Sequence, residues 1–190
     1  MCLRRNKFIE AVISVAAKIP TFTSDKRGTS AIELSFFLAL LTFGMLNVAD
    51  ISIYIYKRME LENATQMGVQ AAWKNCDPNN GYVPATTNCP NLTTAITNAL
   101  NGTSLGSNVQ LQAGYPSEGY YCVNSAGTLQ YVSSVSSKPA DCTAAGMPSN
   151  QPGDYITVAT TYAYAPLFPN LTVAGAFTTP ITKTAFMRLN

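Results

Sequence analysis

Hydrophobic and polar positions divide this chain most sharply between Arg27 and Tyr56. From Leu34 to Ala49 no residue is charged, and only Ser35, Thr42 and Asn47 interrupt the apolar run. Taken from Ile32 to Ile51 the stretch is 20 residues long, roughly 30 Å as a helix, the thickness of a bilayer core. Tyr54 and Tyr56, followed by Lys57 and Arg58, mark its outer end as an aromatic belt with snorkelling cations. Asp50 is then expected near the outer headgroups, where a carboxylate costs little. Past that point the pattern turns amphipathic. At 100° per residue, Leu61, Ala64, Thr65, Gly68, Ala71 and Ala72 fall on one face, and Glu62, Asn63, Gln66, Gln70 and Lys74 on the other. No proline interrupts Thr29 to Asn75, so one continuous helix is predicted, half anchor and half spine.

The remainder reads as a short helix and a set of strands. Pro90 is expected to start a helix in which Leu92, Ala95, Ile96, Ala99 and Leu100 form an apolar stripe, with Gly102 stopping it. Strands are predicted at residues 109–113, 119–123, 128–132, 154–165 and 180–189, where β-branched and aromatic residues alternate with polar ones. Asn124 to Gly127 reads as a four-residue hairpin loop. The fold class is α+β: an N-terminal membrane helix extended into a spine, laid against an antiparallel sheet of four or five strands.

Charge and cysteine placement add a topology. Residues 1–28 carry six basic and two acidic residues, against six basic and eight acidic in the rest. The basic cluster abuts the apolar run instead of lining a fold, which argues against a nucleic-acid surface and places the N-terminus in the cytoplasm. The domains expected are a basic leader at 1–28, a transmembrane helix at 29–56 and an extracytoplasmic head at 57–190. Apart from Cys2 in the leader, the cysteines form an even set, Cys76, Cys89, Cys122 and Cys142, as suits an oxidising compartment. Cys76 with Cys89 would tie the end of the spine to the short helix. Cys122 with Cys142 would brace the Ser/Pro-rich loop at 133–153. Four cysteines allow three connectivities, and the other two stay open here.

The leader has its own pattern. Phe8, Ile9, Val12, Ile13, Ala16 and Ile19 repeat at helical spacing, too short to span, and Pro20 ends them. An amphipathic helix on the inner leaflet and a disordered basic leader both fit. An ordinary secretory signal fits poorly, because no small-x-small site follows the run.

Lys26-Arg27-Gly28 stands directly before the span, and Glu33 is the fifth residue after Gly28. A glycine after basic residues, then a hydrophobic helix with Glu at the fifth place, resembles the processing signal of the TadE-like family, minor pilins or pseudopilins of the tight-adherence branch of type IV pili. The likeness covers roughly Gly28 to Trp73. A looser likeness lies in Tyr162-x-Tyr164-x-Pro166-Leu167 and the final Thr- and Arg-bearing strand. The resemblance implies a pilin-like head and a prepilin-peptidase cut between Gly28 and Thr29. It also implies that Glu33 contacts the N-terminus of a neighbouring pilus subunit. Glu33, Phe37, Leu40, Gly44, Asn47 and Ile51 share one side of the helix, and a stripe holding a carboxylate, a glycine and an asparagine suits helix–helix contact. Glu33, Gly44 and Asn47 are therefore the expected assembly contacts, with the bilayer, the peptidase and other pilus subunits and assembly proteins as partners.

Catalytic chemistry is not legible. The chain has no histidine, and its extracellular cysteines are better used as bridges, so neither a Cys/His nor a Ser/His constellation can be built. The head's acidic residues beyond the helix, Asp77, Glu118, Asp141 and Asp154, are scattered among turn formers. Two could meet as a carboxylate pair or a Ca²⁺ site, but solvated loop and cap residues are the expected reading. Sequons at Asn63, Asn91, Asn101 and Asn170 carry little weight in so Asn- and Thr-rich a chain. Tyr115, Tyr120, Tyr121 and Tyr131 offer a candidate binding surface or strand packing. No cofactor, metal or enzyme activity is expected. The function expected is that of a TadE-like minor pilin in the bacterial inner membrane, head outward, acting in pilus assembly and adherence; entry into the fibre is left open. The alternative is a single-pass surface protein with a ligand- or surface-binding head and no pilus role.

Overall fold

The computed structural model describes residues 26–76, 81–177 and 179–189; the leader helix and Asp77 lie outside them. The chain divides into two compact units, one ending at Val48 and the other beginning at Ala49. One helix, α1 (Lys26–Asn75), runs through the division. It starts ahead of the expected Thr29, which puts Glu33 about two turns in and leaves the first turn without an acidic residue.

In the first unit α1 is apolar on every side. Ile32, Leu34, Phe36, Phe37, Leu41 and Phe43 are all exposed, and two polar side chains of the run fold back on their own helix. Ser35 Oγ donates to the Ile32 carbonyl at 2.8 Å, and Asn47 Nδ2 to the Phe43 carbonyl at 2.8 Å. Each large apolar side chain left in water forgoes roughly 1.5–3 kcal/mol of burial. A surface of this kind calls for an apolar medium or partner. Among the described residues, this is the one helix long and apolar enough to cross a membrane.

In the second unit the expected two faces separate. Leu61, Ala64, Thr65, Gly68, Val69 and Ala72 are buried, while Glu62, Asn63, Gln66, Gln70 and Lys74 are exposed. Val69 joins the face that periodicity outlined, and Ala71 is half-buried. The one-turn helix α2 (Ala85–Asn88) and α3 (Leu92–Asn101) follow. Pro90 precedes α3 and does not start it; Asn91, at φ 59°, is the N-cap. Leu92, Ile96 and Leu100 are its buried stripe, and the Gly102 amide closes it onto the Asn98 carbonyl.

Five antiparallel strands form the sheet: β1 (Val109–Leu111), β2 (Ser117–Val123), β3 (Leu129–Ser134), β4 (Gly153–Tyr162) and β5 (Ile181–Arg188). β4 is central. Its later half pairs with β1 and its earlier half with β2, so these two short strands share one edge of it. β5 pairs along the other edge for the full length, Tyr155 opposite Arg188 to Tyr162 opposite Ile181. β3 pairs with β2 through the Asn124 hairpin, where Asn124 Oδ1 accepts from the Ala126 and Thr128 amides.

Alternation in β4 and β5 sets two sheet faces. Ile156, Val158, Thr160, Ile181 and Ala185 face the spine and share its core with α3. At the centre, Thr65 Oγ1 donates to the Leu61 carbonyl and receives the Thr160 hydroxyl at 2.5 Å. Lys183 and Glu62 pair at 2.6 Å across the edge of this interface. The outer face carries Tyr121 packed edge-on against Tyr131, Tyr155 and Phe186. A Cβ on Gly119 would stand 2.7 Å from the Tyr131 ring, so that ring seats only because Gly119 has none. The cysteines pair as Cys76 with Cys89 and Cys122 with Cys142, their Cα atoms 5.5 and 5.7 Å apart, within the range of a bridge.

Candidate functional site

In the first unit, Glu33, Gly44 and Asn47 recur along one side of α1, as helical geometry requires of their spacing. Glu33 is exposed, Asn47 half-buried, and nothing lies within 4 Å of where a Gly44 Cβ would stand. Gly44 therefore leaves a bare strip of backbone, the feature that lets helices approach closely in an apolar medium. The Asn47 amide's bond to the Phe43 carbonyl lowers the cost of that group in the run. Gly28 and Thr29 fall inside the first turns of α1.

Asp50 departs from expectation. Its side chain is fully buried against the head instead of standing open to solvent. The Leu167 amide donates to Oδ1 at 2.9 Å, the Phe168 amide to Oδ2 at 3.3 Å, and the Thr172 hydroxyl to Oδ2 at 2.5 Å. The Tyr164 hydroxyl adds a bond to the Asp50 carbonyl at 3.2 Å, and Tyr54 packs against Tyr164 and Phe177. A buried carboxylate needs such donors, since each lone pair left dry costs on the order of 1–3 kcal/mol. Asp50 thus holds the loop after β4 to the start of the head's helix, and Tyr54, expected in an interfacial belt, is partly buried in that contact.

Among the described residues, the head's other carboxylates are held by hydrogen bonds or ion pairs, with one exception. Both Glu118 oxygens are engaged, by the Ala85 and Thr86 amides and the Thr86 hydroxyl at 2.7–2.8 Å, which closes the start of α2. Asp141 Oδ1 takes the Thr143 amide and hydroxyl, and these hydrogen bonds hold its carboxyl below the usual carboxylate range. Lys57, at 2.8 Å, and the Ser104 hydroxyl do the same for Glu60, joining the spine to the segment after α3.

Asp154 is the exception. It is 4% exposed, and its Oδ1 is buried without a hydrogen bond. Burial pushes its carboxyl up to about 6, Glu118 adds to the rise, and Lys138 opposes it. It lines a cavity of about 280 Å³ with Val83, Tyr120, Lys138, Gln151, Pro152 and Arg188. Residue order carries no sign of this, because Val83, Tyr120, Lys138 and Arg188 come from four segments remote from Asp154. Among the described residues, no three carboxylates, cysteines or histidines gather as a metal site.

The arrangement offers a helix surface, two bridges and buried polar anchors. The chain was compared with protein-family models, with curated proteins and with solved structures. Nothing matches.

Proposed function

We propose that this protein is a TadE-like minor pilin or pseudopilin, anchored in the bacterial inner membrane with its head outside, that takes part in assembling a tight-adherence pilus. The supporting observation is that α1 exposes apolar side chains all round in its first unit and buries only one face in its second. That division suits a subunit drawn from a membrane by its helix, with a head that travels intact. Lys26-Arg27-Gly28 and Glu33 supply the processing signal and the contact by which such subunits are recognised. The leader is cut between Gly28 and Thr29, the new Thr29 ammonium meets Glu33 of a neighbouring subunit, and Gly44 and Asn47 lie along the same contact. An unpaired carboxylate in hydrocarbon costs at least about 2.5–3.5 kcal/mol on insertion scales, so pairing between subunits selects register. The head carries no catalytic role.

N-terminal sequencing of protein extracted from its native membrane should read Thr-Ser-Ala-Ile-Glu. A Glu33→Ala strain should insert the protein and form both bridges yet assemble few pili. An intact Met1 in the presence of the processing machinery, or normal pilus number in the Glu33→Ala strain, would remove the pilin assignment. A second reading, a surface protein whose head binds a ligand, draws on the free Asp154 oxygen in its cavity and on the aromatic outer face. It predicts an uncut, non-polymeric protein.

A further inference from the structure

We infer that the loop from Pro166 to Val173 is a second membrane contact, in which Leu167, Leu171 and Val173 enter the boundary between headgroups and acyl chains. These three side chains are 60%, 52% and 55% exposed, an unusual concentration for a short loop facing water.

Position is the first support. The amides of Leu167 and Phe168 and the hydroxyl of Thr172 all donate to the Asp50 carboxylate, so the loop is fixed at both ends to the beginning of the head's helix. Side chains on a helix lean toward its N-terminus. Asp50 directly follows the uncharged run that ends at Ala49. The loop therefore lies at the end of the head from which that run departs. Chemistry is the second support. No Asp, Glu, Lys or Arg occurs between Asp154 and Lys183, so the segment carries no charge to desolvate. Several of the loop's polar groups are also satisfied from within the head. The amides of Leu171 and Thr172 donate to the Phe168 carbonyl, and those of Leu167 and Phe168 go to Asp50. Backbone closed in this way can approach lipid, where an open loop cannot. The exposed Asn170 stays at headgroup level.

The inference rests on the reading of the uncharged run as a membrane span, and the test separates the two. The full chain carries a single tryptophan, Trp73. In a Trp73→Phe background, Leu171→Trp, Val173→Trp, Leu41→Trp and Val123→Trp are each reconstituted into phosphatidylcholine–phosphatidylglycerol vesicles, with and without lipids brominated along the acyl chain, both near the headgroup and near the bilayer centre. Retention of both disulfides checks folding. Val123 ends β2 beside the start of β4, at the opposite end of that strand from the loop, and serves as the distal control. Leu171→Trp, Val173→Trp and Leu41→Trp should lose emission to the brominated lipid, and Val123→Trp should not. Quenching of Leu41→Trp alone would overturn the loop contact and leave the span standing. Quenching of none would overturn the span, and the loop contact with it. Loop tryptophans shielded from aqueous iodide but untouched by brominated lipid would mean that protein covers the loop, which also overturns the inference.

Discussion

Gly44 and Gly68 occupy one unbroken helix and have opposite surroundings. A Cβ at Gly44 would meet nothing within 4 Å, whereas at Gly68 it would stand 3.2 Å from Leu100 Cδ2 and 3.4 Å from Ile96 Cγ2. Around Gly44 large side chains are exposed on every side; around Gly68 small residues pack inward and polar ones point out. The difference shows how solvent writes a helix. A helix between water and a core must divide its faces, and periodicity records the division. A helix in an apolar medium has no wet face, so hydropathy survives and periodicity vanishes. Gly68 makes room for a neighbour in the same head, while Gly44 stands bare.

Four experiments test that contrast, taken from the largest expected effect to the smallest. Asp50→Ala leaves the Leu167 and Phe168 amides and the Thr172 hydroxyl without their acceptor. It should destabilise the head by about 4 kcal/mol, read as a lower denaturation midpoint in detergent. An effect below about 1 kcal/mol would return Asp50 to the solvated role its sequence position suggests. Replacing Cys76 and Cys89 together by serine opens a loop whose ends are 13 residues apart, and should cost about 3 kcal/mol in the chain-entropy model. Peptide mapping of the native protein should find both this pair and Cys122 with Cys142 oxidised.

The glycines supply the third test. Gly68→Leu forces a side chain against Leu100 and Ile96 and should cost about 2 kcal/mol of head stability. Gly44→Leu should leave the head within about 0.5 kcal/mol of the parent while reducing pilus number. Equal losses of head stability would erase the distinction between the two halves of α1. The fourth concerns Asp154, whose folded value near 6 lies above the ordinary carboxylate range. The folded head then holds its proton more tightly than the unfolded chain does. Stability from this group is full below about pH 4 and falls as pH rises toward 6, a change of about 1–2 kcal/mol. The groups around it, Glu118, Lys138, Tyr120 and Arg188, are unchanged in Asp154→Asn, which should flatten that slope and be the more stable form at pH 8. Parallel pH profiles for the two proteins would place the titration elsewhere.

Much of the fold was readable from residues alone. The predicted helix from Thr29 is observed from Lys26, the five strands appear within a few residues of their expected ends, and both expected cysteine pairs lie at bonding distance. The candidate site was less readable. Glu33, Gly44 and Asn47 could be placed on one side of a helix by counting, but the burial of Asp50 could not. Its local surroundings, Ala49 before it and Tyr54 and Tyr56 after it, look like a membrane interface, and its three donors lie 117 to 122 residues away. Glu118 shows the same limit, since the helix start that it caps is 32 or 33 residues behind it.

What the sequence determined by itself is whatever follows from nearest-neighbour geometry. The apolar run, the period of the spine face, the alternation in β4 and β5 and the short loop between Cys76 and Cys89 all depend on residues a few positions apart, whose relation is set by helix or strand repeat. Only the tertiary structure decided which carboxylates are held and which are stranded. Asp50, Glu118 and Asp154 are all carboxylates, yet the first is buried under three donors, the second caps a helix and the third has an oxygen without a protein hydrogen bond. Burial and hydrogen bonding are properties of the space around a side chain, and that space is built by segments remote in sequence. It was likewise the packing of β4 that set β1 and β2 along one edge, because edge sharing depends on where two strands end against a third.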